Sequence, residues 1–321
     1  MSRMARTRTS GRGPRGSSTL LAVPGGIWML VFFIVPILVV VWYSFGQKPG
    51  LYGTHDNSVL SLDRYGEALS GAFLLTFANT LQIAVIGTLI CVLIAVPFSY
   101  WLAVKVTPKW RYVVLALVLV PYWTNFLIRT LGWQILLAPE GPVTVLLRQL
   151  GLVDAAFSML YTKGAVQLGV VYNYLPLMIL PIFVAMERLT PALREASKDL
   201  GAGRWGTFRQ VTLPLAAPGI VGGVVLVFIP LMGDYITAQV LGGAKGNMVG
   251  QMIAGQFQQG QNWALGSAMS VTLILITLLS VVLVGAVGIV CGAILRARRR
   301  LPIERTAAGA TPARTGTEVP A

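Results

Sequence analysis

Hydrophobic residues in this chain fall in long unbroken runs, unlike the alternation of half-buried strands or the one-sided stripes of soluble helices. A helix crossing the ~30 Å hydrocarbon layer of a bilayer needs about 20 mostly apolar residues. Six runs are that long, near 27–46, 77–104, 111–137, 164–185, 217–240 and 265–295. Proline punctuates them at Pro36, Pro97, Pro121, Pro176, Pro181 and Pro230. Each proline removes a backbone donor and frees a carbonyl, which neighbouring helices or a water-filled cavity must satisfy. A membrane helix tolerates any one of them; six together tilt the reading toward a bundle that moves.

One polar island, residues 187–214, interrupts the pattern between the fourth and fifth runs. It is too long for a simple turn and too short for a domain, so it reads as a docking element. Thr190 and Pro191 predict a helix start, the hydroxyl capping the first turn and the proline at the first helical position. Gly201 or Gly203 supplies the stop. Leu193, Ala196 and Leu200 share one face, and Arg194, Glu195, Lys198 and Asp199 cover much of the remainder. A helix of about ten residues is marginal alone in water, so tertiary or partner contacts are expected to hold it. The plainer alternative is a solvated loop held by its own ion pairs, such as Glu195 with Lys198. Trp205 and Phe208 follow, two aromatics costly to leave exposed together.

Composition agrees with the pattern: 55% hydrophobic residues, 11% charged and a mean hydropathy of +0.72 describe a polytopic membrane protein. The net charge of +14 would suit nucleic acid, but its placement decides otherwise. Nineteen of the 25 Lys and Arg lie in the N-terminal tail, at 105–111, in the island and in the C-terminal tail, whereas Lys48, Arg64, Arg148, Lys163 and Lys245 serve the intervening loops. This asymmetry predicts that the island and both termini are cytoplasmic, and argues against a nucleic-acid partner. The Arg-rich leader is not read as a cleaved signal, because its apolar run is too long and ends on Trp42-Tyr43-Ser44-Phe45 without small residues. The expected organisation is a disordered basic tail over 1–24, a transmembrane domain over 25–297 and a disordered tail over 298–321. The outer loops, 47–76, 138–163 and 241–264, predict no extracellular domain, so any soluble recognition domain is expected on another chain.

Chemistry is sparse. Cys91 and Cys291 both lie in predicted helices and His55 is the only histidine, so neither a metal site nor a Ser-His-Asp arrangement can be assembled, and no cofactor is expected. No lysine follows a glycine, so there is no phosphate-binding Gly-x-x-x-x-Gly-Lys loop, and an ATP motor would have to be a separate subunit.

Within the island, Glu195-Ala196-Ser197, then Gly201, Val211 and Leu213-Pro214 follow a spacing that resembles the cytoplasmic EAA loop of permease subunits in bacterial binding-protein-dependent ABC importers. Ser197 and Val211 stand where that family usually has Ala and Ile. The stretches Pro121 to Arg129, Leu241 to Lys245 and Asn262-Trp263 extend the likeness to about 250 residues and resemble the spermidine/putrescine branch. The resemblance implies an all-α bundle of about six transmembrane helices with the type I ABC importer permease fold, in the bacterial inner membrane. It implies cytoplasmic ATPase subunits, a second permease subunit and a periplasmic or lipid-anchored solute-binding protein as partners. It further implies that Glu195, Ala196, Ser197, Asp199, Gly201, Leu213 and Pro214 belong to a coupling helix and its surroundings. The expected activity is ATP-driven import of a small organic solute, a polyamine or another small solute, by alternating access, with no covalent chemistry in this chain.

Asp234, about 24 Å into the fifth run at 1.5 Å per residue, and Arg129 in the third fall in the outer half of the membrane, where ionisable groups face a bundle interior or cavity. Trp123, Asn125, Tyr172, Asn173, Tyr174 and Tyr235 fall in the same band. One reading makes Asp234 and the aromatic faces a cation-friendly passage or gate, against which Arg129 counts. The other pairs Arg129 with Asp234, or lets both snorkel to the interface. The competing functional class is an ion-gradient-driven transporter or channel using Asp234 as its ion site, which leaves the island's spacing unexplained. A membrane enzyme lacks a constellation to support it.

Overall fold

A computed structural model describes residues 23–50, 52–69, 71–154 and 157–299; the tail residues 1–22 and 300–321 lie outside the described residues. The described chain is helical, with one isolated bridge, Gln47 to Asp56, in place of any strand. The helices are α1 (Val23–Tyr43), α2 (Asp63–Ala68), α3 (Gly71–Val104), α4 (Pro108–Leu119), α5 (Phe126–Leu137), α6 (Pro142–Gln149), α7 (Lys163–Glu187), α8 (Pro191–Asp199), α9 (Arg204–Met232), α10 (Val249–Gln258) and α11 (Trp263–Arg299).

Five of these, α1, α3, α7, α9 and α11, are long and apolar enough to cross a membrane, and a sixth span consists of two bent pieces. The unbroken third helix expected over 111–137 is therefore corrected. α4 runs into a 3₁₀ turn, Val120–Trp123, and the chain then bends by 88° into α5. Pro121 cannot donate to the helix ladder, and Asn125 restarts it by accepting from Leu127 N–H at 2.8 Å. The fifth helix is also corrected: it begins at Arg204 rather than 217 and stops at Met232, short of 240. The segments read as outer loops, 47–76, 138–163 and 241–264, hold the short helices α2, α6 and α10.

Two of the prolines come two residues after π-helical turns. Leu30–Ile34 precedes Pro36, and Phe208–Thr212 precedes Pro214. A proline leaves the carbonyl four residues earlier without its donor, and a wider turn there relieves the clash with the ring.

The chain forms two compact units by contact, one holding residues up to Thr80 with Asn247–Leu273, the other Leu81–Gly246 with residues from Ile274 onward. In the first, Ala68, Phe73, Val249, Ala268 and Met269 make a buried cluster. Thr80 Oγ1 accepts from Val249 N–H at 2.8 Å, and Asn79 Nδ2 donates to the Asn247 carbonyl at 2.6 Å. His55 stacks on Tyr43 at 3.9 Å, and Lys48 donates to the Gly260 carbonyl at 2.8 Å. In the second unit α7 is the centre, burying Met178, Ile182, Phe183 and Met186. α9 lies so close to it that a Cβ on Gly219 would stand 2.4 Å from Ala185 Cβ and 2.6 Å from the Pro181 carbonyl oxygen. Such small-residue contact is how membrane helices gain dispersion energy where lipid offers no hydrophobic drive. α3 joins through Ser99, whose hydroxyl donates to the Ile179 carbonyl at 3.3 Å. Side chains 23–39 of α1 are exposed all round.

Candidate functional site

Two places in the second unit collect the residues singled out by sequence: the helix α8 with its surroundings, and a cavity beside the bend between α4 and α5.

α8 starts at Pro191, but Thr190 makes no side-chain cap, contrary to expectation. Proline at the first helical position already removes one orphan donor and presets φ, so the helix begins without a hydroxyl cap. Its end is fully specified. Gly201 N–H donates to the Lys198 carbonyl at 2.8 Å and Ala202 N–H to the Ser197 carbonyl at 3.1 Å, with Gly201 at φ 83°. These two bonds, with a left-handed residue between them, form a Schellman stop and single out Gly201 over Gly203.

The ion-paired loop alternative is not what forms. The salt bridges among the described residues are Arg64–Glu67, Arg111–Glu187 and Arg148–Glu140, so Glu195 and Lys198 are not joined. α8 is held instead by Ser197, whose hydroxyl lies 3.1 Å from that of buried Thr207 in the first turn of α9. Its apolar face is uncovered, with Leu200 89% and Leu193 46% exposed. Trp205 stacks on Phe208 at 5.5 Å, and Phe208 meets the edge of Tyr100 on α3 at 5.0 Å, leaving Trp205 72% exposed. Leu213 and Pro214 sit beyond the π-helical turn in α9, where they line a groove with Arg194 and Lys198. Behind α8, Glu187 at the end of α7 accepts from Tyr112 at 2.8 Å and from Arg111 at 3.3 Å.

The second place is a cavity of about 610 Å³ lined by Tyr122, Arg129, Asn173 and Tyr174 with apolar residues of α7 and α9. Of the eight residues placed in that band it takes in Arg129, Asn173 and Tyr174. The Arg129 guanidinium lies over the rings of Tyr122 at 5.2 Å and Phe126 at 5.6 Å, a cation–π clamp rather than an ion pair. Asn173 Nδ2 donates to Thr130 Oγ1 at 3.2 Å, while its Oδ1 has no partner. The alternative that pairs Arg129 with Asp234 is thus not what forms among the described residues. Asp234 is buried and lies past the end of α9, at a break after Gly233. It accepts from Thr237 N–H at 3.0 Å, from the Thr237 hydroxyl at 2.6 Å and from the Tyr174 hydroxyl at 3.4 Å. Its link to the cavity therefore runs through Tyr174.

The remaining expected residues stand apart. Asn125 is a helix cap. Trp123 is exposed, and Tyr172 turns to Trp133 at 5.3 Å. Tyr235 is exposed next to Asp234. Tyr122 was overlooked because its contact with Arg129 exists only once the chain bends between them. Thr237 was overlooked as well; its N–H stands three residues after Asp234, at the spacing of a helix cap.

Comparison with known proteins places these features in context. Residues 15–296 match the model of the family described as binding-protein-dependent transport system inner membrane component. The chain is 38% identical to the spermidine/putrescine transport system permease protein PotB of Haemophilus influenzae over 246 residues, 77% of this chain and 85% of that protein. A crystal structure of a bacterial ABC transporter involved in the import of the acidic polysaccharide alginate has a chain that superposes with a TM-score of 0.66 at 17% identity, covering 89% of this chain and 96% of that one. A chain of the bacterial alginate ABC transporter in complex with an alginate pentasaccharide-bound periplasmic protein gives 0.65 at 17% identity, covering 83% and 91%. At such identities the structural likeness is one of fold.

Proposed function

Since this chain belongs to the family of binding-protein-dependent transport system inner membrane components, and is a multi-pass permease subunit of an ABC importer in the inner membrane, we propose that α8 is the element through which a separate ATPase subunit drives it. The observation that carries this reading is the uncovered apolar face of a helix whose stop is rigidly specified. Leu193 and Leu200 project from a nine-residue helix that is tied to α9 by Ser197 and Thr207. A partner that covers Leu200 and pulls on α8 moves the start of α9 with it, and α9 is packed along α7 through Gly219. Glu195, Ala196, Ser197 and Asp199 lie on α8, Gly201 ends it, and Leu213 and Pro214 sit where α9 departs from regular geometry. The island and both termini are then cytoplasmic, as the loop charges favour.

The cargo is a polyamine. The name of the Haemophilus relative supports this, at 38% identity over most of both chains. The solute is handed over by a binding protein on the outer side, as a periplasmic protein is bound in the alginate transporter complex. A second permease and the bilayer cover the exposed surface of α1. The 610 Å³ cavity lies on the passage, with Tyr174 as its aromatic wall and Asp234 holding Tyr174 in place.

The test is an assembled complex in proteoliposomes, with cargo-loaded binding protein and ATP. Leu200→Asp and Glu195→Ala are each expected to abolish solute-stimulated ATP hydrolysis while the permease still folds, because both side chains are exposed in the isolated chain. Stimulation and complex yield equal to those of the parent would remove α8 from the coupling role. Calorimetry of the binding protein against spermidine and putrescine tests the cargo; no heat with either would remove the polyamine assignment.

A further inference from the structure

A groove of about 1280 Å³ in the second unit has two chemically distinct ends. Lys105, Arg194, Lys198, Arg204 and Arg209 line one end, and among the described residues no aspartate or glutamate lines the groove. None of these five cations has a carboxylate within ion-pair distance among the described residues. The other end is apolar, walled by Val92 and Val96 of α3 and by Ile220 and Val221 of α9. Along α3 the distance from Lys105 to Val92 is thirteen residues, about 20 Å at 1.5 Å per residue. That matches one leaflet, roughly 15 Å of hydrocarbon, plus its headgroup layer.

We infer that this groove holds an anionic phospholipid of the leaflet on the α8 side, its phosphate among the five cations and an acyl chain along Val92, Val96, Ile220 and Val221. Basic pockets between membrane helices on the cytoplasmic side are suited to such headgroups, and the topology is that proposed above. The ATPase fits less well as the occupant. A soluble domain can reach Arg194 and Lys198 on α8, but Val92 and Val221 lie deep along membrane-spanning helices. A second permease helix would fill the apolar end and leave five cations without counter-charge. The lipid also bridges α3, α8 and the start of α9, the parts that coupling would move.

The full chain is reconstituted in phosphatidylcholine bilayers without ATP or ATPase, so that failure of the coupling reading leaves the measurement untouched. Electron spin resonance then compares the immobilised fraction of spin-labelled phosphatidylglycerol with that of spin-labelled phosphatidylcholine. The parent is expected to favour phosphatidylglycerol. Each cation near an anionic headgroup is worth roughly fivefold, so the combined variant Lys105→Gln, Arg204→Gln, Arg209→Gln should lower the preference at least about fivefold or to parity. Lys48→Gln, Lys163→Gln and Lys245→Gln together should keep it. Val221→Trp, which blocks the apolar end without changing charge, should also lower it, and high salt should weaken it in the parent. Equal immobilisation of the two lipids by the parent, or a preference untouched by the first variant and by Val221→Trp, overturns the inference. So does a preference that disappears when the ATPase subunit is added, which would make that subunit the occupant.

Discussion

Gly201 ends α8 at φ 83°, in the left-handed region, with open space where a Cβ would stand. Substitution there meets no neighbour, so its cost is conformational alone. For an ordinary L-residue that cost is about 1–2 kcal/mol, or five- to thirtyfold in the equilibrium between a formed and an unwound helix end. The nine-residue helix has little to spare, being marginal alone and tied to α9 through the Ser197–Thr207 contact. Gly201→Ala is therefore expected to cut solute-stimulated ATP hydrolysis several-fold in the reconstituted complex. Gly201→Asn should cut it less, since asparagine tolerates the left-handed region, and Gly201→Val should cut it most. The melting temperature of the isolated permease should barely move, because the loss is confined to a projecting helix. If alanine, asparagine and valine all behave as glycine does, the helix stop does not govern coupling. If all three fail equally and with normal ATPase recruitment, the left-handed backbone is not the reason.

Further expectations follow from contacts elsewhere in the second unit. Thr207→Val removes the hydroxyl partner of Ser197 at a buried position and should lower stability by about 1 kcal/mol; a double-mutant cycle with Ser197→Ala, read from denaturation midpoints, should show the two losses are not additive. Gly219→Leu forces a side chain against Ala185 and the Pro181 carbonyl and should cost roughly 1–3 kcal/mol or more, seen as a lower melting temperature and loss of complex. Asp234→Asn retains an acceptor for Thr237 N–H, whereas Asp234→Ala leaves that donor and two hydroxyls without their partner. The alanine variant should lose about 1–3 kcal/mol more than the asparagine variant, and equal melting curves would refute the capping role.

The long spans were legible because twenty apolar residues in a row have few other uses, and α8 was legible because it is a local pattern with its own start and stop. What escaped was the position of the breaks. The apolar run over 111–137 continues through Asn125, and hydropathy alone reads a single asparagine as tolerated; only its role as a cap, four residues after Pro121, marks the bend. Asp234 was likewise assigned to a helix interior because hydrophobic residues flank it, although Gly233 before it and Thr237 after it are the marks of one helix ending and a turn beginning. Both errors share a cause. Periodicity reports which residues avoid water, while breaks are set by one or two backbone donors.

Those corrections change what the charged residues at membrane depth can do. Had Arg129 and Asp234 paired, the passage would carry a salt bridge to be broken on each cycle. Each is instead accommodated locally, Arg129 between the rings of Tyr122 and Phe126 and Asp234 by Thr237 and Tyr174. A dicationic or tricationic solute passing the cavity would then meet ring faces, Asn173 and a guanidinium, with the Asp234 carboxyl buried behind the Tyr174 hydroxyl. Aromatic faces attract ammonium groups weakly, by about 0.5–2 kcal/mol, and a neighbouring guanidinium opposes them. On the proposed passage, a cavity so balanced would hold its cargo loosely, which suits a route that must release what it receives and would leave selection to the binding protein. Arg129→Gln should on this argument strengthen retention of spermidine by the permease itself, measured by equilibrium binding in detergent, and slow its release; a weaker affinity would mean that Arg129 supports the cargo site instead of opposing it.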